Sequence, residues 1–180
     1  MGTVFVAGIY GVGKSTLCNE LSNALFIPYF SASDLISSIN GEKYGANKKV
    51  ANKYNNQDIL CYEVRKQLQI SSRIILAGHF CIFNNENRVD CLPDSIYSKL
   101  NIESILLLEA DINIVLGNLN KRDKINYDYD QLAALALEEK NSAQRVAEKI
   151  ECNLFVHRMN FNNKDLDECI PYIVEGRDDK

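Results

Sequence analysis

Gly8-Ile9-Tyr10-Gly11-Val12-Gly13-Lys14-Ser15, followed directly by Thr16, spells G-x-x-x-x-G-K-[ST], and the reading of this stretch decides the fold. The pattern has meaning only between a strand and a helix, and both flanks comply. Thr3-Val4-Phe5-Val6-Ala7 is β-branched and apolar enough for a buried parallel strand. Behind the loop, Leu17, Leu21, Ala24 and Leu25 recur at helical spacing. Glycines let the backbone curl with its N–H groups turned inward, toward a phosphate, and the following helix N-terminus adds a favourable dipole. Gly8, Tyr10, Gly11, Val12, Gly13, Lys14, Ser15 and Thr16 are therefore the expected cradle for the phosphates of ATP. Lys14 is placed to reach the β- and γ-phosphates, and the Ser15 hydroxyl to ligate Mg²⁺.

Outward from the loop, strand and helix patterns alternate. Ile27-Pro28-Tyr29-Phe30 reads as a second strand, and a helix opens at Leu35-Ile36 with Ser33 or Asp34 able to cap it. Residues 40–56 are polar and basic (Lys43, Lys48, Lys49, Lys53) and read as an arm rather than core. Leu60, Val64 and Leu68 form the stripe of an amphipathic helix over 58–69. Arg73-Ile74-Ile75-Leu76-Ala77 is a third strand, ended by Gly78-His79-Phe80. Residues 81–92 read as a loop, and Pro93 as the start of a helix to Leu100. A fourth buried strand covers 104–109, and a helix runs from Asp111 through Leu119 into the basic cluster Lys121-Arg122-Asp123-Lys124. A long helix over 129–150 keeps Leu132, Leu135, Ala136, Ala143, Val146 and Ile150 on one face. Asn153-Leu154-Phe155-Val156-His157 is the fifth strand, a polar turn covers 160–164, and a last helix lies near 166–173. This alternation implies an α/β three-layer sandwich: a parallel five-stranded sheet with helices on both faces, in one domain over 1–180.

Composition agrees. At 180 residues with 46% hydrophobic content the chain can bury a core within one domain. A net charge of −4 argues against a general nucleic-acid binder. No run reaches the roughly 18 apolar residues of a membrane span, and a strand beginning at Thr3 leaves no room for a signal peptide. Six cysteines without a C-x-x-C or a metal-type cluster with His79 or His157 suit a reduced, cytoplasmic protein.

Beyond the loop, three stretches resemble the adenylate kinase family. Ser31-Ala32-Ser33-Asp34-Leu35-Ile36 is similar to its I-S-T-G-D-L-L-R segment. Ile74-Ile75-Leu76-Ala77-Gly78-His79-Phe80 stands where that family has a strand ending in D-G-F-P-R. Leu106-Leu107-Leu108-Glu109-Ala110-Asp111, with Leu119 and Lys121-Arg122-Asp123, resembles its run into the lid. The resemblance is closest to short-lid, archaeal-type members and related small nucleoside and nucleotide kinases. It implies a strand order 2-3-1-4-5, an acceptor-binding arm near 34–70 and a short lid near 119–130. It also implies transfer of the γ-phosphoryl of Mg-ATP to a small acceptor, a nucleoside or nucleoside monophosphate. The family's acceptor-gripping arginine is Ser37 here, its D-G aspartate is Ala77, and the first lid arginine falls near Gly117. Replacement cations would have to come from Lys43, Lys48, Lys49, Arg65 or Arg88.

Three side chains carry expected catalytic roles: Lys14, Asp34 and Arg122. Arg122 can stabilise the charge that phosphoryl transfer spreads over the equatorial oxygens, or it can be a solvated lid charge. Asp34 can orient an acceptor hydroxyl, as an acid near that turn does in the shikimate and gluconate kinases that share this layout, or merely cap its helix. Ser33, Asp34, Gly78, His79 and Phe80 are the expected acceptor contacts. A histidine satisfied by nearby backbone is the alternative for His79. Three other readings stay open, the first a small-metabolite kinase of the shikimate or gluconate type. Asn120-Lys121-Arg122-Asp123 also spells N-K-x-D, the guanine-reading motif of GTP switches, although it starts eleven positions after the strand that ends at Glu109. The third is a nucleotide-binding regulator that transfers nothing.

Overall fold

β1 (Gly2–Ala7) is buried at every position and forms the middle of a parallel sheet. The computed structural model describes residues 2–40, 53–123 and 127–175. The elements after β1 are α1 (Lys14–Leu25), β2 (Tyr29–Ser31), α2 (Ala32–Asn40), α3 (Lys53–Ile70), β3 (Arg73–Ala77), β4 (Cys81–Phe83) and β5 (Val89–Cys91). A 3₁₀ turn (Asp94–Lys99), β6 (Ile102–Glu109), α4 (Ile112–Asp123), α5 (Tyr129–Ile150), β7 (Asn153–Arg158) and α6 (Lys164–Glu175) complete the chain.

The five-stranded sheet runs β2-β3-β1-β6-β7, all parallel, and helices flank it. It differs from the expected 2-3-1-4-5 through an antiparallel hairpin, β4-β5, that enters between the third and fourth parallel strands and renumbers the last two. Val4, Val6, Ile74–Leu76 and Ile105–Leu108 are nearly inaccessible, as strands covered on both faces require. Thr3 tolerates the same burial because its Oγ1 donates to the Leu100 carbonyl at 2.7 Å. The expected stripe on α3 is buried at Leu60, Val64 and Leu68, and that on α5 at Leu132, Leu135, Ala143 and Val146.

Three local expectations are corrected. Residues 81–92 are not a loop: Cys81, Ile82 and Phe83 pair with Cys91, Asp90 and Val89, closed by a turn with Asn87 in the left-handed region. α2 begins at Ala32, so Ser33 and Asp34 lie inside its first turn instead of capping it. Ser33 Oγ meets Ser31 Oγ at 2.8 Å, and Asp34 faces solvent. Pro93 precedes a 3₁₀ turn, not an α-helix. Of the expected arm and lid, residues 41–52 and 124–126 lie outside the described residues, with Lys43, Lys48, Lys49 and Lys124 among them.

Candidate active site

The loop after β1 turns on backbone that only glycine enters without strain. Gly8 has φ 140°, and a Cβ there would sit 2.6 Å from the Leu108 carbonyl oxygen. Gly13, at φ 98°, stands immediately before α1, and among the described residues no side chain caps that helix. Its first-turn N–H groups are thus left for an anion. Ser15 and Thr16 open α1 with exposed side chains, and the Ser15 hydroxyl is hydrogen-bonded to Tyr29. Lys14 Nζ folds over the loop and donates to the Gly8 and Ile9 carbonyls at 2.6 and 2.9 Å. Asn118 on α4 braces the loop from the far side, its Nδ2 donating to the Gly11 carbonyl at 3.1 Å.

A carboxylate that sequence reasoning did not single out locks this loop to the sheet. Glu139 of α5 is 1% exposed and accepts from the Gly8 N–H at 3.0 Å, the Phe80 N–H at 2.9 Å and the Cys81 N–H at 2.7 Å. One side chain thereby joins the end of β1, the end of β3 and the start of β4. Burial raises its pKa, and that effect outweighs the opposing pull of Lys14 and the three N–H donors. The signal was present: Glu139 stands on the apolar face of α5, four residues from both Leu135 and Ala143.

A cavity of about 580 Å³ opens beside the loop. Tyr10, Gly11, Gly13, Lys14, Ser15, Thr16 and Arg122 line it on the side of the loop, together with Asn118 and Phe161. Phe161 belongs to the polar turn after β7, and its ring lies 3.5 Å from where a Cβ of Gly13 would be. Ser33, Gly78 and His79 line the other side, so the fold brings these expected residues together with the loop. The His79 ring packs 4.5 Å from that of Tyr10, and the His79 carbonyl accepts from the Tyr97 hydroxyl at 2.9 Å. Four expected residues lie elsewhere. Gly8 and Val12 are buried behind the loop. Phe80 is fully buried, with its ring 5.2 Å from Phe5 and 4.6 Å from Tyr97. Asp34 is exposed and does not reach the cavity lining.

Arg122 reaches the cavity from the last turn of α4, half-exposed, and is held by Asp123 through Nη2–Oδ2 at 2.6 Å. Asp123 also accepts from the Tyr127 hydroxyl at 2.7 Å, and it raises the pKa of the guanidinium. The position suits an arginine that exchanges a carboxylate for phosphate oxygens.

A glycine-cradled loop, an uncapped helix start, Lys14 above it and a cavity beyond together make a nucleotide site in a parallel sheet. A family model for the AAA domain matches residues 7–136, from the loop to the middle of α5. The chain belongs to the AAA domain family. Solved structures similar to this AAA domain include shikimate kinase from Bacteroides thetaiotaomicron, at 12% identity and a TM-score of 0.62, covering 97% of this chain and 96% of that one. Shikimate kinase from Acinetobacter baumannii in complex with shikimate is 11% identical, with a TM-score of 0.63 over 98% and 95% of the two chains. A gluconokinase from Sinorhizobium meliloti 1021 is 12% identical, with a TM-score of 0.57 over 97% and 90%. No curated protein matched the sequence. At these identities the likeness speaks for the fold: this AAA domain has the architecture of phosphate-loop kinases. No helix among the described residues is long and apolar enough to cross a membrane.

Proposed function

We propose that this AAA domain is an ATP-dependent phosphotransferase that moves the γ-phosphoryl of Mg-ATP to a small acceptor, the hydroxyl of a nucleoside or the phosphate of a nucleoside monophosphate. The observation that carries this reading is the single cavity that joins Lys14 and Ser15 to a pocket across the end of β3. The donor half fits the triphosphate: a Cβ at Gly8 would strike the Leu108 carbonyl, and the first turn of α1 has no side-chain cap. The Ser15 hydroxyl would hold Mg²⁺, which when bound would supply charge neutralisation at the phosphates. Lys14 leaves the Gly8 and Ile9 carbonyls to meet the transferring phosphate, and Arg122 leaves Asp123 to meet its equatorial oxygens. Phe161 packs toward the adenine side. Ser33 and His79 position the acceptor hydroxyl, a modest demand because such transfer depends on placement and electrostatics more than on a strong base. Asp34, exposed and off the lining, has no part in this scheme.

The likeness to shikimate and gluconate kinases supports transfer to a hydroxyl of a small molecule. A regulator that binds nucleotide without transfer, and a GTP switch, are separated from this reading by one assay. γ-labelled ATP and GTP are incubated with the protein and a panel of nucleosides, nucleoside monophosphates and hydroxylated metabolites. Label appearing in an acceptor, and lost in Lys14→Met, supports the proposal. Tight nucleotide binding with no labelled acceptor, or full transfer by Lys14→Met, refutes it.

A further inference from the structure

Among the described residues, the acceptor side of the cavity carries no lysine, arginine or carboxylate. From this we infer that the acceptor is uncharged, with an apolar or aromatic body and an amide-like edge: a nucleoside, and not a nucleotide or a sugar acid. The inference rests on the phosphotransferase reading and narrows its substrate class.

Among the described residues that line the cavity, the only lysine and arginine are Lys14 and Arg122. Both belong to the donor half, Lys14 in the loop and Arg122 one turn from Asn118, which bonds Gly11. The described arginines in and beside the acceptor elements point elsewhere. Arg65 is exposed on α3, Arg73 at the start of β3 pairs with Glu103, and Arg88 pairs with Glu86 in the hairpin turn. The acceptor half is walled by Ile36, Leu60, Ile82, Leu92, Ile96 and Leu100. A phosphate or carboxylate placed among them would lose its hydration without gaining a cation from the described residues. A polyol has the same difficulty on a smaller scale, since each hydroxyl needs a partner.

The polar groups on this side are of a different kind. Asn56 and Gln57, at the start of α3, bring two adjacent carboxamides to the wall. Asn56 is 5% exposed. Gln57 Nε2 is buried and has no hydrogen-bond partner among the described residues. An orphaned buried donor in a cavity wall is satisfied when a ligand brings an acceptor to it. A carboxamide offers donor and acceptor side by side, the complement of a nucleobase edge. Apolar walls suit the base, the carboxamide suits its edge, and the Ser31 and Ser33 hydroxyls suit a ribose.

Calorimetry of uncharged nucleosides, their 5′-monophosphates, shikimate and gluconate against the ATP-loaded protein tests this, paired with transfer of labelled γ-phosphate to each. At least one nucleoside should bind and be phosphorylated, with a KM about 100-fold or more below those of its monophosphate and the two acids, the scale of an unpaired buried charge. Gln57→Leu should raise the nucleoside KM about tenfold through the lost hydrogen bond while the Kd for ATP stays unchanged. A monophosphate or sugar acid that outcompetes every nucleoside overturns the inference and leaves the phosphotransferase reading standing. So does an unchanged nucleoside KM in Gln57→Leu with respect to the carboxamide's role. Failure of every nucleoside to bind overturns the inference. Nucleoside binding with no transfer to any acceptor upholds the uncharged pocket and overturns the phosphotransferase reading.

Discussion

Replacing Glu139 by alanine would leave the Gly8, Phe80 and Cys81 N–H groups without their acceptor at the junction of β1, β3 and β4. A buried donor stripped of its partner costs about 1–3 kcal/mol. Three of them, next to a cavity that can admit water to relieve some of the loss, come to about 3–5 kcal/mol. That is a large share of the roughly 5–15 kcal/mol that holds a domain together. Glu139→Gln retains one oxygen but turns an NH₂ group toward backbone donors, so it should lose about 1–3 kcal/mol. Urea unfolding followed by circular dichroism measures both. The sign of the pH dependence tests the electrostatics separately. Because burial raises the carboxyl's pKa above its ordinary value of 4.5, the native state holds the proton longer than the unfolded chain does. The stability due to this group is complete below that ordinary value and declines as pH rises through the folded one. Glu139→Gln lacks this titration, so its deficit relative to wild type should shrink as the pH rises above 4.5. A deficit that widens would show that Lys14 and the three N–H donors dominate the desolvation. A Glu139→Ala loss under about 1 kcal/mol would refute the locking role itself.

Arg122→Ala should lower turnover by a factor of about 10²–10³, part of what such an arginine can supply, with ATP affinity changed far less. Its half-exposed pair with Asp123 is worth under about 1 kcal/mol, so the unfolding midpoint should barely move. The opposite pattern, in binding rather than turnover, would remove Arg122 from the transfer step. Gly8→Ala should cost about 2–3 kcal/mol of stability by the same unfolding assay, since φ 140° is strained for alanine and its Cβ would press on the Leu108 carbonyl. A neutral result there would mean that the loop rearranges freely. Burial pushes the Cys18 and Cys169 thiols up to about 12, and raises that of Cys81 as well. Iodoacetamide at pH 8 should therefore leave these three unlabelled until denaturant is added; fast labelling of Cys18 in the native protein would show that the core beneath the loop opens.

The loop was legible in the sequence and the far wall of the cavity was not, for a physical reason. The loop's geometry is local: Gly8 and Gly13 mark backbone conformations, and Lys14 and Ser15 follow at fixed steps along one helix start. Periodicity likewise exposed the buried stripes of α3 and α5, because burial repeats with the helix. Short elements left no such trace. β4 and β5 have three residues each, too few for alternation to show, so 81–92 looked like a loop. The resemblance placed Asp34 and Phe80 in the site, but α2 starts at Ala32 and leaves Asp34 in solvent, while Phe80 packs against Phe5 and Tyr97 in the core. Glu139 was hidden because a carboxylate on an apolar stripe has meaning only once Gly8, Phe80 and Cys81 are seen around it, up to 131 residues away in the chain. The acceptor walls are assembled in the same way, from β1, α2, α3, β3, β4, the 3₁₀ turn and the residues beside it. Missing arginines read along the chain as lost function. Among the described residues, the two carboxamides and six aliphatic side chains gathered around that cavity support the proposed ligand, one that brings no charge of its own.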